Sequence, residues 1–228
     1  SFMEFCGGHT HAISRYGLSD LLPPNLRMVH GPGCPVCVLP IGRIDMAIDL
    51  ALHQNVILCT YGDTLRVPAS EGLSLIKAKA RGGDIRMVYS TLDALAIAKE
   101  NTDRKVVFLG IGFETTTPTV AASVLQAKAE GILNFSILSQ NKVCPPTIRA
   151  LLDLGEIRLQ GLICPGHVSA VIGSHPWDFI AREYGIHPSL PCRWKAELAE
   201  NPEKAFMGNG NKYKDQAKIA DLERLLGQ

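Results

Sequence analysis

Apolar residues in this chain gather in short runs at 2–5, 26–29, 55–59, 85–89, 105–110, 133–138 and 160–164. Runs of that length bounded by Gly, Pro, Asn or Asp read as buried strands. Between most of them the apolar positions change to a helical period. Residues 41–53 put Ile44, Ile48 and Leu52 on one face, and residues 70–81, 91–100, 117–130 and 145–153 behave alike. Alternation of strands and helices on this scale predicts an α/β fold with parallel sheets flanked by helices, of the open, doubly wound type. The pattern restarts after the polar stretch 100–105. Two small lobes are therefore expected, 1–100 and 101–187, followed by a charged helical tail over 188–228.

The unusual residues follow the strands. Cys6-Gly7-Gly8-His9-Thr-His11 comes after the first, and Gly31-Pro-Gly-Cys34-Pro-Val-Cys37 after the second. Tyr61-Gly-Asp63 follows the third, Gly112-Phe-Glu114-Thr115-Thr-Thr117-Pro the fifth, and Cys164-Pro-Gly-His167-Val-Ser169 the last. Open parallel sheets bind ligands beyond the carboxyl ends of their strands, so five such loops argue for a site.

Composition narrows the chemistry. The 228 residues are 46% hydrophobic and 20% charged with a net charge of +1, as in a protein with a packed core. That balance offers the body no attraction for nucleic acid or an anionic membrane. No apolar run approaches the length of a membrane span, and a cytoplasmic location is expected. Seven cysteines, an odd number in a chain of this size, do not suggest a secreted disulfide framework.

Cys34 and Cys37 have the C-x-x-C spacing of a redox dithiol, and a helix start at Cys34 would favour the thiolate. Half of a structural zinc site is the other reading, although no second C-x-x-C or paired histidines complete it. Gly7 and Gly8 after Cys6 allow a tight turn and close approach of a bound group. With His9 nearby, Cys6 suits a borderline-soft metal such as iron. Thr115, Thr116, Thr117 and Pro118 fit a helix start, which leaves the preceding Glu114 carboxylate to carry protons or position a partner. His167 lies on the same edge. Cys59, Cys144 and Cys164 read as packing, and His30, His53, His175 and His187 belong to no constellation. Neither a phosphate-loop nor a dinucleotide fingerprint occurs.

Three segments taken together are more specific. Met3-Glu-Phe-Cys6-Gly-Gly-His9-Thr-His11-Ala-Ile, His30-Gly-Pro-Gly-Cys34-Pro-Val-Cys37-Val and Gly112-Phe-Glu114-Thr-Thr stand in the order seen in HypD proteins, the maturation factors of nickel–iron hydrogenases. Arg66-Val-Pro and Pro165-Gly-His167-Val-Ser169 add to a resemblance over residues 1 to about 187. It implies an assembly scaffold that pairs with the chaperone HypC. Such a scaffold holds an iron atom while cyanide, supplied by HypE, and carbon monoxide are attached as ligands. Carried over by motif, Cys6 ligates that iron, Cys34 and Cys37 are the thiol/disulfide pair, and His9, Glu114 and His167 line the cleft.

The chain also departs from that family. It starts at the first motif, and beyond residue 164 it has only Cys192, so it is expected to be truncated and to lack the family's four-iron cluster. Residues 194–228 resemble a segment of insertion-sequence transposases, and Ile219, Leu222 and Leu226 have a helical spacing suited to self-association. Two rival functions follow from the residues: a general thiol–disulfide oxidoreductase using Cys34 and Cys37, and a DNA-associated protein suggested by the tail alone.

Overall fold

A computed structural model describes residues 1–156 and 158–185. The expected tail from 188 onward, with its transposase-like segment and Ile219, Leu222 and Leu226, lies outside the described residues. The chain divides into two compact units, 1–173 and 174–228.

Among its described residues the first unit contains seven strands, all paired in parallel. A four-stranded sheet runs in the order β4 (Ile85–Met87), β3 (Ile57–Thr60), β5 (Val106–Gly112), β6 (Phe135–Asn141). A three-stranded sheet runs β2 (Met28–His30), β1 (Phe2–Glu4), β7 (Gly161–Ile163). The α/β class with parallel sheets is as the apolar runs predict. The grouping of strands differs from the expected division at residue 100, because β3 pairs with β5 and β1 with β7. Pairing between strands far apart in sequence leaves no trace in local periodicity.

Side-chain alternation explains the core of the larger sheet. Leu58, Leu109 and Ile111 face Ile44 and Ile48 of α2 (Ile41–His53) and Leu75 of α3 (Leu75–Ala80). Ile57, Cys59, Val106 and Phe108 face Ala94 and Ala98 of α4 (Thr91–Glu100) and Val120 of α5 (Thr117–Ala129). Both faces are covered, so these strands are apolar throughout. Ser90 and Asp93 form a reciprocal capping box that starts α4.

Three more helices complete the first unit: α1 (Gly7–Arg15), α6 (Cys144–Asp153) and α7 (Gly166–Ile172). In the second unit, a tight turn at His175–Trp177 leads into α8 (Asp178–Glu183), where Ile180 and Ala181 are buried. No helix among the described residues is long and apolar enough to cross a membrane.

Candidate functional site

The carboxyl ends of both sheets open into one cleft of about 590 Å³. Cys6, Cys34 and His167 line it from the loops of the small sheet, and Tyr61, Asp63 and Thr115 from those of the large one. With Val88 and Tyr89 after β4, loops after six strands thus meet in one place, across two sheets rather than along one.

Cys6, two residues beyond β1, stands in extended backbone (φ −164°, ψ 127°) directly before α1, and its carbonyl accepts the first helical bond of α1, from the Thr10 N–H at 3.1 Å. Cys6 is therefore the residue at the positive end of a helix dipole. Its Sγ lies 3.7 Å from His167 Nδ1, and only 8% of the residue is exposed. Gly8 leaves the space over that sulfur open: a Cβ there would sit 3.5 Å from it.

Cys34 and Cys37 are joined by a disulfide, with Cα atoms 5.2 Å apart. The expected helix start at Cys34 is not found. Residues 35–38 form a turn and α2 begins at Ile41, because Pro40 would fall in the interior of a helix begun at Cys34 and cannot continue it. The turn gives Cys34 a local donor instead, the Cys37 N–H at 3.2 Å from its Sγ. Cys37 is exposed and Cys34 half-buried. This loop packs closely on the Cys6 loop: the Gly7 N–H donates to the Gly33 carbonyl at 3.2 Å. A Cβ on Gly33 would stand 2.5 Å from the Cys6 Cα and 2.7 Å from the Phe5 carbonyl carbon, so only glycine fits.

Glu114 is buried, and its Oε1 accepts the Cys144 N–H at 2.6 Å. Pro145 and Pro146 have no N–H, so that bond satisfies a first-turn donor of α6 and sets a carboxylate against the positive end of its dipole. The other oxygen, Oε2, is enclosed without a partner among the described residues. Thr116 and Thr117 do not cap the α5 backbone; both hydroxyls donate to the Phe113 carbonyl, at 3.1 and 2.9 Å. His9 lies half-buried on α1 with Nδ1 enclosed and without a partner among the described residues.

The remaining described cysteines suit packing better than reactivity. Burial pushes the Cys59 thiol up to about 12 and the Cys164 thiol up to about 11. Cys144 is also raised, by burial first and then by its hydrogen bond to Glu114.

Two residues at the site escaped the sequence reading. Glu4 is fully buried and His30 bonds to it, Nδ1 to Oε1 at 2.9 Å. A carboxylate inside the apolar run 2–5 was the available signal for Glu4; nothing local marked His30.

Among the described residues no group of three or more His, Cys, Asp or Glu converges as a metal site. Cys6 and His167 offer two donors, a thiol and an imidazole. That is a donor set suited to iron, with coordination positions left for other ligands.

The fold and site define the class as a doubly wound α/β protein that carries a thiol, an imidazole and a disulfide at its strand ends, where open parallel sheets bind ligands. The model described as "HypD: Hydrogenase formation hypA family" matches residues 1–190, and the chain belongs to the HypD family. It is 62% identical over 189 residues to the hydrogenase maturation factor HypD of Rhizobium leguminosarum bv. viciae, covering 80% of this chain and 49% of that protein. The HypD of Cupriavidus necator is 59% identical over 191 residues (81% and 50%), and that of Escherichia coli (strain K12) 54% over 182 (80% and 48%). The chain spans about half the length of the curated relatives it matches.

Proposed function

We propose that this chain serves nickel–iron hydrogenase maturation as a scaffold that holds iron, its cargo, while cyanide and carbon monoxide ligands are attached. The observation that carries the reading is the sharing of one cleft by Cys6, whose thiol lies 3.7 Å from His167, and Cys34, the inner member of the Cys34–Cys37 pair. Cys6 binds the iron, and His167 holds the thiol in place or joins it as a ligand. A HypC-type chaperone contributes a further cysteine, and a HypE-type protein delivers cyanide. Thr115 and the open floor at Gly7 and Gly8 leave room for the iron and its small ligands. His9 and Glu114 do not line the cleft themselves; Glu114 directly precedes the lining Thr115 and is tied to the Cys144 N–H.

Cys34 and Cys37 supply electrons in this scheme. Closing the disulfide oxidises two thiols and passes two electrons and two protons to the sulfur-bound cyano group of the HypE-type donor, whose sulfur–carbon bond breaks to give a thiol and hydrogen cyanide, and an external thiol reductant restores the dithiol. The test is to purify the chain with a HypC-type partner, quantify iron and record the infrared spectrum. Bound iron with cyanide and carbonyl stretches is expected. A complex without iron or those bands, combined with turnover of generic disulfides by the chain alone, would instead establish a general thiol–disulfide oxidoreductase.

A further inference from the structure

Glu4 has a carboxylate with no exposed surface inside a three-residue strand, a costly placement unless donors surround it. Three donors do. The Cys6 N–H reaches Oε2 at 2.9 Å, the Thr10 hydroxyl reaches Oε1, and His30 Nδ1 lies 2.9 Å from Oε1. Each comes from a different part of the site: the turn that carries the thiol, the first turn of α1, and the end of β2 where the Cys34–Cys37 loop begins. The backbone repeats the connection, since the Gly31 N–H donates to the Glu4 carbonyl at 2.8 Å.

From this convergence we propose that Glu4 is a positioning residue: its buried carboxylate fixes the Cys6 turn and, through His30, locks it to the root of the Cys34–Cys37 loop. Its functional meaning rests on Cys6 being the iron-binding thiol, but the geometry stands without that reading. Cys6 is held in a single backbone conformation at the mouth of α1, and the two sulfur centres move as one body. Loosening Glu4 should therefore change both centres together, which a residue that merely filled the core would not do.

The experiment uses the whole chain without iron or a partner, so it is independent of whether iron is retained. Alkylation of Cys6 is timed by mass spectrometry of its peptide. The Cys34–Cys37 equilibrium is measured against glutathione. In Glu4→Ala, Cys6 alkylation should rise about tenfold, and the thiol–disulfide equilibrium should shift about threefold, as expected for lost charge-assisted hydrogen bonds. Glu4→Gln keeps an acceptor for the Cys6 N–H and should recover most of the Cys6 effect.

His30→Ala changes a half-exposed side chain and keeps the test decisive if Glu4→Ala does not fold. It should shift both readouts about threefold, since it removes one of the bonds. Ile44→Val, a truncation in the core of the larger sheet, controls for general loss of stability and should leave both within about twofold of the parent. Folded Glu4→Ala or His30→Ala protein with both readouts unchanged overturns the proposal. So does an Ile44→Val control that reproduces the shifts.

Discussion

The larger sheet is built for packing: every residue of β3 is buried, and β5 extends over seven residues with helices on both faces. The smaller sheet has three strands of three residues each, and one of its most buried side chains is a carboxylate. It is held together by polar contacts around Glu4 and by the close approach of Gly33 to Cys6. One sheet supplies cohesion through apolar area, and the other spends local stability on placing sulfur and imidazole groups. The difference teaches where damage should be global and where it should be local.

The largest effect should come from Phe108→Ala. Phe108 is fully buried and meets Tyr61 edge to face at 5.3 Å, so truncation should cost about 3–5 kcal/mol in urea denaturation. A cost below about 1 kcal/mol would break the comparison, because the larger sheet would then not be the source of cohesion.

Gly33→Ala strikes the other sheet. The added methyl meets backbone at Cys6 and Phe5 and should cost about 1–3 kcal/mol. It should also separate the two cysteine loops, read as faster alkylation of Cys6. Loss of stability without a change at Cys6 would contradict the tight docking of those loops.

The Cys34–Cys37 bond closes a very small loop, so reducing it should lower stability by at most about 2 kcal/mol. After mild reoxidation, the peptide carrying both residues should lose two hydrogens. If both thiols remain alkylatable after oxidation, the dithiol has no redox role.

The effect that is smallest at neutral pH, where it is absent, concerns alkaline titration. The Cys59 thiol is raised by burial from 9.0 to about 12, so the unfolded chain loses its proton first. Its contribution is fully present below pH 9.0 and is lost as pH rises towards about 12, by about 1 kcal/mol for each unit above 9.0. Cys59→Val should flatten that alkaline slope. An unchanged slope would mean that Cys59 is not sealed in the larger sheet.

Much of the fold was legible because the larger sheet is buried on both faces, which writes continuous apolar runs into the chain. The helices at Ile41–His53 and Thr91–Glu100 follow the helical period closely, and each of the seven apolar runs overlaps a strand. The helix α1 was not visible: it opens on Gly7 and Gly8, poor helix formers, and the turn before it is held by contacts distant or hidden in sequence, the Gly7 N–H to the Gly33 carbonyl and the Cys6 N–H to Glu4. The pairing of β1 with β7 was likewise hidden, since it joins residues more than a hundred positions apart. At the site, Cys6, Cys34, Thr115 and His167 announced themselves by loop position, whereas Glu4 and His30 acquire meaning only when two distant strands bring them together.

Iron content in the complex with a HypC-type partner tests the central claim most directly, comparing the parent chain with Cys6→Ala. The substitution removes one sulfur at a strand end and should leave the fold intact, checked by circular dichroism. The account predicts iron and cyanide and carbonyl bands in the parent complex and neither in the variant. Equal iron in a folded Cys6→Ala complex would contradict it.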